Sequence, residues 1–299
     1  MGLMTIVVAG GSGFLGSALV DGWRADGHQV LVLTRRPQRP DDVAWSAGGS
    51  DTAWTAAIEK ADAVINLAGE GIADKRWTAS RKTAILESRV RSTRALASAI
   101  KSARNPPRTL ISASAIGYYS DRGDEVLTED SPPGSDFLAQ VCRRWEEEAL
   151  AASGVTRVVL LRTGIVLSDK GGALPQMALP FRFFAGGTVG TGRQYMSWIH
   201  LADWLGMVRW ALANETIAGP LNLTAPAPVT NAEFTRALGS ALHRPALVPA
   251  PAIALRLALG EMADALLLTG QRVLPAKAQG HGYRFKFETA DAALQDIYG

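Results

Sequence analysis

Apolar positions along this chain follow two periods, and the places where one gives way to the other predict its elements. Thr5-Ile6-Val7-Val8-Ala9 is a nearly unbroken apolar run, the pattern of a strand buried on both faces. Glycines follow, and then Leu15, Leu19 and Trp23 recur at four-residue intervals on one helical face, with Gly27 where a C-terminal cap belongs. Gln29 to Thr34 predicts a second strand, and Ala61 to Ala68, punctuated by Asn66 and ended by Gly69, a central one. From Ser80 to Arg104 one long helix is expected, with Ile85, Val90, Thr93, Leu96, Ala97 and Ile100 as its buried stripe. Asn105-Pro106-Pro107 stops it. Arg108 to Ala113 and Val155 to Leu161 predict further strands, separated by a helix that Asp136 caps and that runs past Cys142 and Trp145 to Ala152.

Beyond Arg162 the periodicity loosens. Gly171-Gly172, Gly186-Gly187, Gly190 and Gly192 suggest a long loop shaping a binding site. Asp203 is expected to cap a helix through Ala213, Leu221-Asn222-Leu223 to form a short strand, and Asn231 to cap a helix ending near His243. Pro245, Pro249 and Pro251 mark a linker into helix-rich sequence. Strand and helix alternate throughout, which predicts an α/β fold with a doubly wound parallel sheet. Residues 1–245 would form its main domain, with substrate-loop insertions, and 246–299 a smaller, mostly helical region. Ala250 to Leu268 is too apolar to stay solvated, so this region should close over the cleft.

The glycines carry the first chemistry. In Gly10-Gly11-Ser12-Gly13-Phe14-Leu15-Gly16, between a strand and a helix, Gly10 permits a sharp turn, Gly13 a close approach to phosphate oxygens and Gly16 tight helix packing. The free N–H groups of the helix start, at Phe14 and Leu15, then face the pyrophosphate of a dinucleotide. The other reading is a tight turn that binds nothing. Thr34 ends the second strand where a dinucleotide fold meets the adenosine ribose, and Arg35 and Arg36 follow in place of the acid that would bind a 2′-hydroxyl. These cations suit a 2′-phosphate, hence NADP(H), or else form a solvated basic turn. Arg35, adjoining the strand, is expected to lie nearer the glycine turn, and Arg36, before Pro37, to face solvent. Leu67, Ala68 and Gly69 end the central strand where the cofactor would pass.

Composition narrows the classes. The net charge of +3 is small and the basic residues are interleaved with acids despite a pI near 9.1, so nucleic acid is not an expected partner. Cys142 is the sole cysteine, which excludes an internal disulfide, and His28, His200, His243 and His281 have no metal-ligand spacing. No charged leader precedes the first strand, and Arg256, Glu261 and Asp264 interrupt the longest apolar stretch. A cytoplasmic protein without a membrane span is expected, as a monomer or homodimer.

Together, the glycine turn, NLAG from Asn66 to Gly69, SASAIGYY from Ser112 to Tyr119 and the segment Ser197 to Asp203 resemble the extended short-chain dehydrogenase/reductases, the sugar-nucleotide epimerase and dehydratase superfamily, with its Rossmann sheet. Arg76-Trp77-Thr78, Glu87-Ser88-Arg89, Asp136 to Cys142, Gly270 to Pro275 and Gly282 to Phe285 resemble an atypical "epimerase family protein" subgroup with a C-terminal domain of unknown function. The resemblance implies a nicotinamide cofactor, which Arg35 and Arg36 make NADP(H), and a small-molecule substrate, and it makes Ser114 the substrate-positioning serine. It also implies a Tyr-x-x-x-Lys pair and an upstream Asn, which are absent. By this subgroup's pattern Leu138 stands at the Tyr, Cys142 at the Lys and Arg89, expected to contact the cofactor, at the Asn. Leu donates no proton, and a neutral thiol supplies no fixed charge. Tyr118 or Tyr119 could replace the missing acid or simply pack, and His200 could be a base or a structural residue. Two functions stay open: an NADP(H)-dependent oxidoreductase or epimerase, and a catalytically silent NADP(H)-binding sensor or partner-binding protein.

Overall fold

The computed structural model describes residues 2–48 and 53–299. Its frame begins with β1 (Thr5–Ala9), α1 (Phe14–Ala25), β2 (Gln29–Thr34), a short β3 (Asp42–Ala44), α2 (Thr55–Glu59), β4 (Ala63–Asn66), α3 (Ala79–Ser102) and β5 (Thr109–Ala115). A 3-10 turn, Ile116–Tyr119, and the two-residue β6 (Val126–Leu127) lead to α4 (Phe137–Leu150) and β7 (Arg157–Thr163). Next come β8 (Ile165–Leu167), α5 (Leu174–Arg182), β9 (Tyr195–Met196), β10 (Trp198–His200), α6 (Leu201–Ala213), β11 (Gly219–Leu223), β12 (Val229–Thr230) and α7 (Asn231–Ala241). The C-terminal region holds α8 (Ala252–Leu259), α9 (Glu261–Ala263), β13 (Arg272–Val273), α10 (Ala276–Gly280) and α11 (Ala290–Tyr298).

Seven strands form one sheet in the order β11-β7-β5-β4-β1-β2-β3, with every neighbouring pair parallel. A parallel neighbour is reached only by a crossover, so helices cover both faces. Alternate residues of β1 divide accordingly. Ile6 and Val8 pack with Leu19 and Trp23 of α1 and with Trp204 and Met207 of α6. Val7 and Ala9 pack with Leu96 and Ile100 of α3 and with Ala149 of α4. The sheet is doubly wound, and its winding reverses between β1 and β4, which opens a crevice at their carboxyl ends.

Three local expectations are overturned. The loop foreseen between 171 and 193 contains α5: Pro175 is tolerated in its first turn, and Leu174, Ala178 and Phe181 bury one face. Glycine pairs on either side and Pro180 within had masked that short period. Asp203 does not cap α6; His200 does, its Nδ1 accepting the Ala202 N–H at 3.1 Å. Asn231 does not cap α7 either. Thr230 and Glu233 form a capping box there, and the Asn231 carbonyl oxygen instead accepts the N–H of Val189 at 2.8 Å.

The C-terminal region attaches differently from the sequence expectation. No residue of α8 is buried, and Ile253 and Leu257 are 72% and 76% exposed. Attachment comes from further along. β13 pairs in parallel with β6, and Ser197 Oγ donates to Gln271 O (2.7 Å) while accepting the N–H of Val273 (2.9 Å). Asn222 Nδ2 donates to Leu274 O (2.9 Å). A separate core combines Leu174, Trp198 and Phe234 with Phe287 and Leu294, so the lobe above the sheet draws on both sides of residue 245. Asp203 is buried beneath it and accepts the N–H groups of Lys286 (2.7 Å) and Phe287 (2.9 Å). Replacing Asp203 with Ala orphans both donors, and the expected loss is about 2–4 kcal/mol in chemical denaturation. A change within error would show that water replaces the carboxylate.

Candidate functional site

The glycine turn is built as dinucleotide chemistry requires. Gly10 has φ +81°, and a side chain there would put its Cβ 2.7 Å from the Leu67 carbonyl carbon, so the exits of β1 and β4 cross in direct contact. A Cβ on Gly16 would collide with Gly10 O and Gly11 Cα. Gly13 differs, because its Cβ would meet nothing closer than Gly10 O at 3.4 Å. Packing within the chain therefore leaves room at Gly13 for a ligand. The first turn of α1 carries neither a side-chain cap nor an acid, so its N–H groups are unopposed. Leu15 turns its side chain into the core, which leaves its backbone to face a ligand. The Phe14 ring lies under Gly171, whose Cβ would come within 2.7 Å of it, so the turn after β8 rests on the start of α1.

Beyond β2 the structure reorders the basic residues. Arg36 N–H donates to Thr34 Oγ1 (3.3 Å). The chain then bends back, and Arg36 and Arg39 line a cleft with Gly11, Ser12 and Thr34. All three arginines are exposed, as expected of Arg36, but Arg35, expected to lie nearer the glycine turn, does not line the cleft. Arg39 was missed; its signal was a third arginine in the same Pro-rich turn. Asp42 also borders the cleft, but its Oδ2 accepts the N–H groups of Gln38 (2.7 Å) and Arg39 (2.9 Å).

At the exits of β5 and β7 lies a buried polar network that local sequence reading did not reveal. Arg162 makes a two-pronged ion pair with Glu146, both contacts at 2.9 Å, and Ser114 Oγ donates to Glu146 Oε1 at 2.6 Å. Arg162 Nη1 donates to Tyr119 OH (3.0 Å) and to Glu129 O (3.2 Å). Tyr119 OH donates to Asn222 Oδ1 (2.7 Å), and the Asn222 N–H donates to Glu129 Oε1 (3.0 Å). Burial works against the charge of Arg162, yet Glu146 outweighs it and holds the guanidinium above its usual range. Burial also pushes the Tyr119 hydroxyl up to about 12.

The candidates for chemistry are thereby sorted. The hydroxyls of Ser114 and Tyr119 are engaged inside the network. Cys142 is buried 3.6 Å from Ala115 O, and burial, followed by the nearby Glu146 charge, pushes its thiol up to about 12. Leu138 packs its side chain under Gly117. Tyr118 is half-buried, with the Arg162 guanidinium stacked 3.5 Å from its ring centre, and its hydroxyl bonds no other group among the described residues. Leu67, Ala68 and Gly69 form the β4 exit, where the Ala68 N–H is held by Asn66 Oδ1 (3.2 Å). Arg89 reaches across from α3 to lie against Gly69. Among the described residues no cluster of side chains could hold a metal ion, and no helix is long and apolar enough to cross a membrane.

A doubly wound parallel sheet, a glycine turn at its winding reversal and an uncapped helix start above it define a Rossmann-type fold. The chain belongs to the NAD dependent epimerase/dehydratase family, whose model matches residues 6–223, and a domain of unknown function, DUF1731, matches residues 250–297. An epimerase family protein of Mycobacterium leprae is 44% identical over 293 residues, covering 97% of this chain and 94% of the relative. The crystal structure of human epimerase family protein SDR39U1 with NADPH is similar at TM-score 0.91 and 36% identity, covering 99% of each chain. A UDP-galactose 4-epimerase structure shares the fold at TM-score 0.72 and 18% identity, covering 99% of this chain and 97% of that one.

His200, weighed above as a base, is a cap whose ring must stay neutral at Nδ1. Burial lowers its pKa, opposed by Asp296 and Asp203 and reinforced by Lys286. Its contribution to stability is therefore complete above the unfolded value of about 6.5 and is lost as pH falls toward the depressed folded value. Denaturation midpoints should decline over that window in the wild type. In His200→Asn, which keeps a capping oxygen, the decline should flatten. Superimposable pH profiles would exclude this role.

Proposed function

We propose that this protein is an NADP(H)-dependent oxidoreductase or epimerase acting on a small molecule, with Arg36 and Arg39 reading the cofactor's 2′-phosphate. The observation that carries the assignment is the cleft beside Thr34. Two arginines, Arg36 and Arg39, line it with Gly11, Ser12 and Thr34, beside the place where the adenosine ribose of a dinucleotide on this glycine turn would lie. The neighbouring acid, Asp42, is already held by backbone N–H groups. NADPH in the crystal structure of the human relative supports the same cofactor.

Guanidinium–phosphate hydrogen bonds are worth about 1.5–3 kcal/mol each where desolvated, and exposure draws them toward the lower figure. Calorimetric titration should find NADPH bound at least about tenfold more tightly than NADH. In Arg36→Ala combined with Arg39→Ala this preference should disappear through loss of NADPH affinity, while Arg35→Ala retains it. Equal affinities for the two cofactors in the wild type would sink the assignment.

When bound, the cofactor supplies or accepts a hydride. The chain must supply the proton. With Leu138 apolar, Cys142 a neutral thiol and Ser114 bonded to Glu146, Tyr118 is the hydroxyl left to exchange it, oriented by the guanidinium over its ring. The wild type should consume NADPH with a member of a panel of carbonyl compounds and sugar nucleotides. Tyr118→Phe should lower that turnover by about 10²–10⁴-fold with NADPH affinity unchanged. Tight NADPH binding without turnover across the panel favours the silent sensor, a reading that the replacement of Tyr and Lys by Leu138 and Cys142 supports.

A further inference from the structure

A bound dinucleotide of this orientation places its adenosine half over β2 and β3 and its pyrophosphate at the start of α1. Its nicotinamide half must then run across the exits of β4 and β5. The side chain of Arg89 lies directly on this path. Its Cγ and Cζ stand 3.2 Å from where a Cβ on Gly69 would lie, so the absence of a side chain at 69 lets the guanidinium settle on the β4 exit.

The surroundings of Arg89 leave a cation unanswered. Trp145 stacks on it, with the guanidinium carbon 5.0 Å from the ring centre, and Nη1 donates to Ile85 O at 3.0 Å. Its other N–H donors make no hydrogen bond within the described residues. No carboxylate among them stands within ion-pair distance. Glu70, the nearest acid felt at the site, is paired with Arg81 at 3.0 Å, and the Cys142 thiol is neutral. Desolvation accordingly lowers the pKa of Arg89, only partly offset by Cys142 and Glu70. Two other arginines of the sheet are treated differently. Arg162 is held by Glu146, Tyr119 and Glu129, and Arg157 by the carbonyls of Ala211, Leu212 and Ile217 together with Thr109 Oγ1. Arg89 is half-buried with no carboxylate partner, so its charge and remaining donors are available to an oxygen-rich ligand lying over the β4 exit.

We infer that Arg89 is the cation that grips the nicotinamide-ribose half of the dinucleotide, an assignment that rests on the NADP(H) reading above. The planar fork of a guanidinium matches a pair of adjacent ribose hydroxyls or the oxygens of a phosphate. α3 thus delivers across the α3–α4 interface a charge that α4, carrying Cys142 there, lacks. Because arginine stays protonated throughout the working pH range, it holds and orients this half of the cofactor and relays no proton.

Adenosine 2′,5′-bisphosphate carries the 2′-phosphate end of NADP(H) without the nicotinamide ribose, and it separates the two ends. In calorimetric titrations Arg89→Gln and Arg89→Leu should each bind NADPH about tenfold or more weakly than the wild type and bind adenosine 2′,5′-bisphosphate within twofold of it. Circular dichroism and melting of both variants without ligand should show a folded protein, so that a loss of NADPH affinity reports the contact itself. Equal losses for both ligands, or no loss for NADPH in the folded variants, would each overturn the role of Arg89. Failure of the wild type to bind either ligand would instead remove the cofactor assignment on which it rests.

Discussion

The buried ion pair between Glu146 and Arg162 ties together more of this molecule than any helix contact does. It joins α4 to β7, takes in the end of β5 through Ser114 and the following turn through Tyr119, and reaches β11 through Asn222. Glu129 extends it to the C-terminal region, where its carboxylate accepts the N–H of Lys277 at 3.2 Å. Two charges withdrawn from water in this way stabilise a fold only when every lone pair and proton is matched, and here the prongs are doubled and the remaining oxygens engaged. The same matching draws in the hydroxyls of the serine and the inner tyrosine beside the crevice. Their hydroxyls complete the pair.

On the other side of the crevice the constraint is steric. Gly10 and Gly16 are demanded by the chain's own atoms, whereas Gly13 borders space. That contrast separates glycine used for packing from glycine used for access. The cations at the two ends of the crevice follow a similar division. Arg162 is neutralised from within, while Arg36, Arg39 and Arg89 have no carboxylate partner among the described residues.

Much of the frame was legible because it is local. The β1–glycine–α1 unit, the stripe of α3 from Ile85 to Ile100 and the cap at Asp136 each depend on neighbours within a few residues, and the structure contains them. The site was legible where the chain turns tightly and obscure where partners are far apart. Nothing near Glu146 in a run of three glutamates signals Arg162, although a charge ending the apolar strand Val158 to Leu161 demands a partner from somewhere. Asp203 read as a cap because caps are the commonest task of an aspartate before a helix. Its actual partners, Lys286 and Phe287, lie more than eighty residues away. Which arginine after β2 borders the cleft was obscure because strand alternation stops at Thr34, and the bend that its hydroxyl holds brings Arg36 and Arg39 to it.

The late origin of these partners bears on how the chain matures during synthesis. Ser197, Asn222 and Asp203 are buried, and their hydrogen bonds to the C-terminal region require residues 271 to 287, which are made well after β1 to β5. Until then the β11 side of the sheet carries polar groups whose final mates do not yet exist, while β1 to β5 and their helices have all their pairings available. Vectorial synthesis thus yields a nascent chain in which β1 to β5 can consolidate before residues 271 to 287 complete the β11 side.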